Sequence, residues 1–586
     1  MITESVGNYR YDGVMYLASV LLRGFRNLSA TVEFDHPLSV IVGENNAGKS
    51  NLIDAIRLLT FPQAGPTHRL WISEDDFAHD GSGNRISDTF ELEAVFKDLS
   101  PAEEARMVTC LGPSLGKCIA RLRMRAALEP SGRVEVQWFG GDSGNPEIER
   151  WARTAVTHTY LPPLRDAAKD LRPSRENRLI SLLSALAPED GNDRAQIEAI
   201  VTQANCDLAK VKAVLDARNK VQNGLRKMGG GSDSLSQLSD LVFADPRFHR
   251  IVGTLRAQAG HLVPLELDEN GLGYNNLLYM AVLLASIDAG TDAELHLLLV
   301  EEPEAHLHPQ LQDLLMRYLE NSEHASQVIA TSHSPNFASA AGVERVTVLM
   351  RRDGGRTILP RAPRLFGLDK STLAHLRRFL DVTKAALLFA RGVILVEGVA
   401  EQLLIPALAR ELKRPLSTYG VAVINVGGLA FQPFAELFGK DRLPYPCAIV
   451  SDADPPGDRP NPTDLKDGDV MLSASAQAIA KLQLENVRVH LARKTFEWDL
   501  AAAGNAEAMR EALALIKPRV AGALKQSLYG QGADSQADLL YEKVRDVKGP
   551  FAQALAQAVD SGVRLSVPCY IRKAIAFATG GHLEDE

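Results

Sequence analysis

Cysteine is scarce in this chain, with 5 among 586 residues: Cys110, Cys118, Cys206, Cys447 and Cys569. They are scattered and contain no C-x-x-C pair, so neither a disulfide framework nor a cysteine-based zinc site is expected. Long apolar runs are also missing, and none approaches the length of a membrane-spanning helix. The N-terminal residues Met1-Ile-Thr-Glu-Ser-Val-Gly have no basic stretch leading into an apolar segment. The expectation is a reducing, cytoplasmic setting with no membrane partner. No internal repeat or low-complexity tract is visible. Positive charge is not in excess either: a net charge of −9 argues against a protein that coats nucleic acid over its whole surface.

What remains is ordinary globular composition, 45% hydrophobic and 23% charged, at a length that implies several domains. Two constellations stand out. The first begins with Leu38-Ser-Val-Ile-Val-Gly-Glu-Asn-Asn-Ala-Gly-Lys-Ser50, an apolar strand running into G-x-x-x-x-G-K-S and then a helical pattern. This is a phosphate loop in its confirming strand-to-helix context. Gly43, Asn45, Asn46 and Gly48 place backbone N–H groups around phosphates, Lys49 reaches the β/γ-phosphates, and Ser50 ligates Mg²⁺. Downstream, Leu295-His-Leu-Leu-Leu-Val-Glu-Glu-Pro-Glu304 is an apolar strand ending in two acids. Glu301 is expected to hold Mg²⁺ through water and Glu302 to orient the attacking water. Another strand end, Ile329-Ala-Thr-Ser-His-Ser-Pro335, puts His333 where it could touch a γ-phosphate. ATP with Mg²⁺ is the implied cofactor.

The second constellation is acidic. Val393-Ile-Leu-Val-Glu-Gly-Val-Ala-Glu401 and Cys447-Ala-Ile-Val-Ser-Asp452-Ala-Asp454 are buried-strand runs that end in paired carboxylates. In an open parallel sheet such ends gather at one crevice. Four carboxylates at one rim repel unless hard divalent cations sit between them, which predicts a metal site for phosphodiester chemistry. The plainer reading, acids that cap the following helices, accounts for one pair but not both.

The Glu and Asp-x-Asp pattern resembles the Toprim fold of topoisomerases, primases and some nucleases. The long stretch between phosphate loop and acidic strand resembles the ABC-type ATPases, where a helical subdomain and a signature loop intervene. The candidate signature lies at 267–278, with Gly271 and Gly273; it lacks the usual serine and glutamine, and a Gly-containing turn before a core helix explains it nearly as well. Both constellations in this order resemble the OLD (overcoming lysogenisation defect) family. Further motifs in common are Tyr160-Leu-Pro-Pro-Leu-Arg-Asp166, Glu304-Ala-His-Leu-His-Pro309, Lys494-Thr-Phe-Glu-Trp-Asp-Leu500 and a lysine near 548.

The resemblance implies an α/β architecture: an ABC-type P-loop ATPase with a helical dimerisation insert, followed by a Toprim, Rossmann-like, nuclease domain. The boundaries expected are 1–175 and 261–385 for the ATPase, 176–260 for the insert and 386–586 for the nuclease. It implies an ATP-regulated endonuclease acting on DNA, with RNA left open, in anti-phage defence. The subunits would form a homodimer or higher homo-oligomer, sometimes with a helicase partner. Two cations, Mg²⁺ or Mn²⁺, would be bound by Glu397, Glu401, Asp452 and Asp454, with Glu497 as an extra ligand. Glu397, Asp452 and Asp454 would be catalytic, with Lys548 offsetting charge on the phosphate; by itself Lys548 is a solvated helix-start residue, with Lys543 and Arg545 close by. The alternative is a non-cleaving DNA-tethering ATPase of the SMC/RecF type. The missing zinc pattern counts against a primase, and no catalytic-tyrosine domain like that of a topoisomerase is apparent.

Lesser features complete the reading. A hairpin is expected over 15–33, a half-buried strand over 88–99, and an antiparallel pair around Glu129-Pro-Ser-Gly132. Arg165, Lys169, Arg172, Arg175 and Arg178 form either a phosphate-contacting face or a solvated one. Arg377, Arg378, Lys384 and Arg391 lead into the second constellation. His306 and His308, spaced i, i+2, would diverge rather than chelate and read as interface residues.

Overall fold

The structure, a computed structural model, describes residues 14–62, 70–80, 82–114, 117–142, 148–163, 178–188, 191–228, 244–255, 272–288, 293–305, 307–320, 327–352, 357–458, 460–461 and 471–581. Outside these lie Arg165, Lys169, Arg172, Arg175, His306 and the first part of the candidate signature, 267–271, with Gly271. The chain divides into two compact units. One is Met1–Ser39 with Ser50–Thr331, and the other is Val40–Lys49 with Ser332–Glu586.

The first unit contains an antiparallel sheet in the order Leu28–Glu33, Tyr16–Phe25, Thr89–Lys97, Lys117–Leu128, Leu111–Ser114, with Val134–Gly140 also paired to Lys117–Leu128. Period-two patterning sets it up: Phe90, Leu92, Ala94 and Phe96 are buried while their neighbours are not. The expected 15–33 hairpin and the pair around Glu129–Gly132 are both present. The same unit holds the wholly buried strand Leu295–Glu301, flanked in parallel by Gln327–Ser332 and Val156–Leu161. Continuous apolar sequence suits a strand covered on both faces. The helical insert contributes Arg178–Leu186, Asn192–Ala209, Lys212–Met228 and Phe248–Val252. Its small core joins Ala187, Phe248 and Val252 to Ile180, Leu183 and Ile197.

In the second unit, Val40 to Gly43 run parallel to Val346 to Leu349, and Thr357–Arg361 returns antiparallel. Helix Lys370–Phe379 leads on to a four-stranded parallel sheet. Its spatial order is Val421–Asn425, Gly392–Val396, Cys447–Ser451, Val487–Leu491, or second, first, third, fourth along the chain. The order in which strands are added therefore reverses between the first and third strands, and a crevice opens at their carboxyl ends. Around it a core of Ile394, Val396, Leu404, Trp498, Phe551 and Ile575 fixes the surrounding helices.

Candidate metal centre and phosphate loop

Glu397 leaves the first strand of the four-stranded sheet and Asp452 leaves the third, so both border the switch-point crevice. Glu401 lies in the first turn of helix Val399–Glu411, and one carboxylate oxygen accepts the Gly398 N–H at 3.1 Å. Asp452 Oδ1 accepts the Phe496 N–H at 2.8 Å, which places Asp452 at the start of helix Phe496–Leu500. That short helix carries Glu497, only 1% exposed. Helix capping thus accounts for part of both acid pairs, more than the sequence suggested.

Capping leaves much unsatisfied. Glu497 Oε1 is buried with no hydrogen-bond partner among the described residues. Burial raises Glu401 to about 7, and the charges of Glu497 and Glu397 add to this. Burial also lifts Glu397, with Asp454 next in effect. Asp452 is held well above the carboxylate range by burial first and then by Glu497 and Glu401. These acids feel one another. Lys548, the first residue of helix Lys548–Asp560, places its ammonium 3.0 Å from Glu497 Oε2. Burial opposes its charge, but Glu497 and Asp452 outweigh that and raise its pKa. Lys543 instead pairs with Glu542, and Arg545 lies 3.9 Å from Asp546.

Among the described residues no three His, Cys, Asp or Glu side chains already close around one point as a ready chelate. The donor set nevertheless fits hard divalent cations: it consists of carboxylate oxygens, its acids resist ionisation without a counter-charge, and one buried oxygen is unpartnered. Asp499, the second acid of the Lys494–Leu500 motif, is occupied otherwise: it accepts the N–H groups of Arg493 and Lys494 at 2.6 and 3.2 Å. Asp454 adopts φ 43°. A non-glycine residue there is strained, and such strain concentrates at functional sites.

The phosphate loop follows the same logic. A Cβ at Gly43 would run into the Leu349 carbonyl, so the close approach requires glycine. Asn46 (φ 61°) and Gly48 (φ 86°) curve the loop, and Asn45 and Asn46 are exposed. Lys49 is buried, with Nζ donating to the Gly43 and Glu44 carbonyls at 2.8 and 2.9 Å and 3.4 Å from His333 Nδ1. Arg391 forks the Glu44 carboxylate.

Within the first unit, Ser50 Oγ donates to Glu301 Oε2 at 2.6 Å. The other oxygen of Glu301 accepts from Tyr160 Oη at 2.8 Å. The Arg57 guanidinium covers the Tyr160 ring at 3.8 Å. Tyr160 had no role assigned from sequence, although it opens a motif; its register beside Leu299 is what brings it to Glu301. Glu302 takes φ 45°, a second strained acid. His308 is exposed near the start of helix Pro309–Glu320. Of the candidate signature, Gly273 lies in the first turn of helix Leu272–Asp288.

Comparison with known proteins agrees with this architecture. An AAA ATPase domain model matches residues 15–105 and 157–338. A TOPRIM domain model described as overcoming lysogenization defect protein-like matches residues 388–454. The chain is 26% identical to the OLD nuclease of Thermus scotoductus over 71% of its own length and 78% of that protein. It is 23% identical to the Old nuclease of Escherichia phage P2, over 70% and 73% respectively. The C-terminal region of the Xanthomonas campestris pv. campestris OLD protein is 32% identical, covering 33% of this chain and 95% of that one, with a TM-score of 0.26. The fold is a P-loop ATPase followed by a TOPRIM domain. No helix among the described residues is long and apolar enough to cross a membrane.

Proposed function

We propose that this chain, which belongs to the OLD-like family joining a P-loop ATPase to a TOPRIM domain, is an ATP-regulated, divalent-metal-dependent endonuclease that nicks or cuts DNA. The observation that carries the reading is the pairing of Lys548 with Glu497 beside Glu397, Glu401 and Asp452 at a sheet switch point. Glu397, Glu401, Asp452, Asp454 and Glu497 would hold two cations, Mg²⁺ or Mn²⁺. When bound, these acidify a water and neutralise the leaving 3′-oxygen. Lys548 presents its ammonium to the phosphate, where negative charge grows in the transition state. Burial of Asp452 and Glu497 keeps bulk water from competing for the same oxygens.

Lys49, Ser50, Glu301, Glu302 and His333 would serve ATP with Mg²⁺. What supports ATP control is the Glu44 position in the loop: its carbonyl takes the Lys49 ammonium and its carboxylate takes Arg391, one residue before the Glu397 strand. A homodimer through the insert is favoured by Ile200, Leu208, Val211, Leu215 and Val221, large apolar side chains left exposed on two of its helices and the bend between them. A role in anti-phage defence, with or without a helicase partner, would follow from the family.

Supercoiled plasmid and tRNA are incubated with the pure protein, Mg²⁺ or Mn²⁺, with and without ATP. Metal-dependent nicking that disappears in Glu397→Ala supports the reading. Failure to cut any substrate in either metal would leave a DNA-tethering ATPase of the SMC/RecF kind, and cleavage of tRNA alone would redirect the nuclease to RNA.

A further inference from the structure

Tyr570 lies in the first turn of helix Cys569–Ala578, which packs against the strand that ends at Asp452. The residue as a whole is half-buried against the apolar core, and its hydroxyl oxygen is sealed from solvent with no hydrogen-bond partner among the described residues. Leaving a buried polar group unpaired destabilises a fold unless something else completes it. Burial holds this phenol far above its ordinary range, and the charges of Asp499, Asp452, Glu401 and Glu497 add to that. The hydroxyl is therefore protonated and available as a donor in an acidic neighbourhood.

Three of the carboxylates whose charges bear on it have one oxygen engaged by backbone. Asp499 Oδ2 takes two backbone N–H groups, Asp452 Oδ1 takes that of Phe496, and Glu401 Oε2 takes that of Gly398. Glu497 Oε1 has no donor among the described residues. Ala578, at the end of this helix, abuts Gly392 at the start of the first strand, and the helix packs along the sheet, so Tyr570 at its beginning lies toward the carboxyl ends of the strands, where Glu497 Oε1 is the orphan acceptor. A hydrated cation would satisfy both, because its inner oxygens bind the carboxylate while its waters accept from a phenol.

We propose that Tyr570 is a positioning residue of the metal centre, its hydroxyl donating to a water or carboxylate oxygen of the cation held by Glu401, Asp452 and Glu497. The inference rests on the metal-dependent reading above. It concerns orientation and affinity of the metal rather than contact with DNA.

Tyr570→Phe removes a single oxygen and leaves the packing in place. Full-length wild type and variant are compared by calorimetric titration with Mn²⁺ and Mg²⁺, by thermal unfolding with and without metal, and by plasmid nicking across metal concentration. Without metal the variant should unfold at the same temperature as wild type or higher, since an unsatisfied group has gone. Metal affinity should fall by about ten- to a hundredfold, and the metal concentration for half-maximal nicking should rise with it, while kcat at saturating metal stays near wild type. Unchanged metal affinity in the variant overturns the proposal and makes the hydroxyl a tolerated packing defect. Loss of kcat at saturating metal also overturns it, since that would place Tyr570 in the chemistry. If wild type itself bound no Mn²⁺ or Mg²⁺, the metal-dependent reading would fall first and this inference with it.

Discussion

Arg391 grips Glu44 with two edges of its guanidinium: Nε stands 2.5 Å from one carboxylate oxygen and a terminal nitrogen 3.1 Å from the other. Glu44 is the first variable position of the phosphate loop, and Arg391 precedes the strand that delivers Glu397. The contact joins residues 347 positions apart in sequence. In the proposed ATP-regulated reading, a nucleotide would draw the Lys49 ammonium off the Glu44 carbonyl, and the Arg391–Glu44 pair would carry that change toward the metal centre.

Arg391→Ala should weaken that link without unfolding the protein. The arginine side chain is 67% exposed, so the pair contributes little to stability, about 0–1 kcal/mol. The coupling at stake is correspondingly about fivefold. The quantity to measure is the ratio of nicking rates with and without ATP, alongside ATP affinity. A ratio identical to wild type would remove Arg391 from the link.

Lys548→Ala should slow cleavage on the order of a hundredfold or more while DNA affinity and its salt dependence change little. A group that stabilises transition-state charge acts on kcat rather than on ground-state binding. Lys543→Ala, whose lysine pairs with Glu542, should cut at nearly the wild-type rate. Normal turnover of Lys548→Ala at saturating DNA, with binding lost, would reduce Lys548 to a phosphate contact.

Metal should stabilise the protein in a pH-dependent way. Glu401 ordinarily titrates at 4.5 and is raised to about 7 in the fold, mainly by burial. Across that window the folded state holds a proton that the unfolded state has released. Stability without metal consequently falls as pH rises from the lower value to the upper. A cation relieves the ionised form, so the Mg²⁺-induced rise in Tm should be larger at about pH 8 than at about pH 5. Equal shifts at both pH values would take Glu401 out of the metal centre.

Lys49→Ala should lose ATP affinity, whereas Glu302→Gln should bind ATP and stall before hydrolysis. The amide keeps the size of the side chain and discards only its charge. Nucleotide binding by fluorescence and phosphate release separate the two variants. Wild-type turnover in Glu302→Gln would move the water-orienting role to another residue.

Much of this was legible because its signals are local. Apolar runs that terminate in acids announced Glu301, Glu302, Glu397 and Asp452 as strand-end residues, and the glycine spacing before Lys49 needed no tertiary context. Lys548 was singled out only by family resemblance, since Lys543 and Arg545 look equivalent along the sequence. The fold separates them by pointing Lys548 at Glu497. The double use of Glu401 and Asp452 as helix caps was read too narrowly. For Asp452 the reason is that its partner N–H belongs to Phe496, on an element separated from it in the chain. The pairings of Arg391 with Glu44 and of Tyr160 with Glu301, and the placement of Tyr570, are not written in any local pattern, although Tyr160 opens a shared motif and Arg391 sits in a basic cluster. Their roles come from strand register and helix packing.

Glu302 and Asp454 hold left-handed backbone that glycine would adopt with less strain. Each is also a candidate for the chemistry. Glycine there would relieve the backbone while deleting the side chain that the chemistry uses. A library of this protein screened for heat resistance alone should therefore drift toward inactive survivors, with these two positions among the first to change. A thermostable version intended to keep cutting would have to draw its stability from elsewhere in the chain.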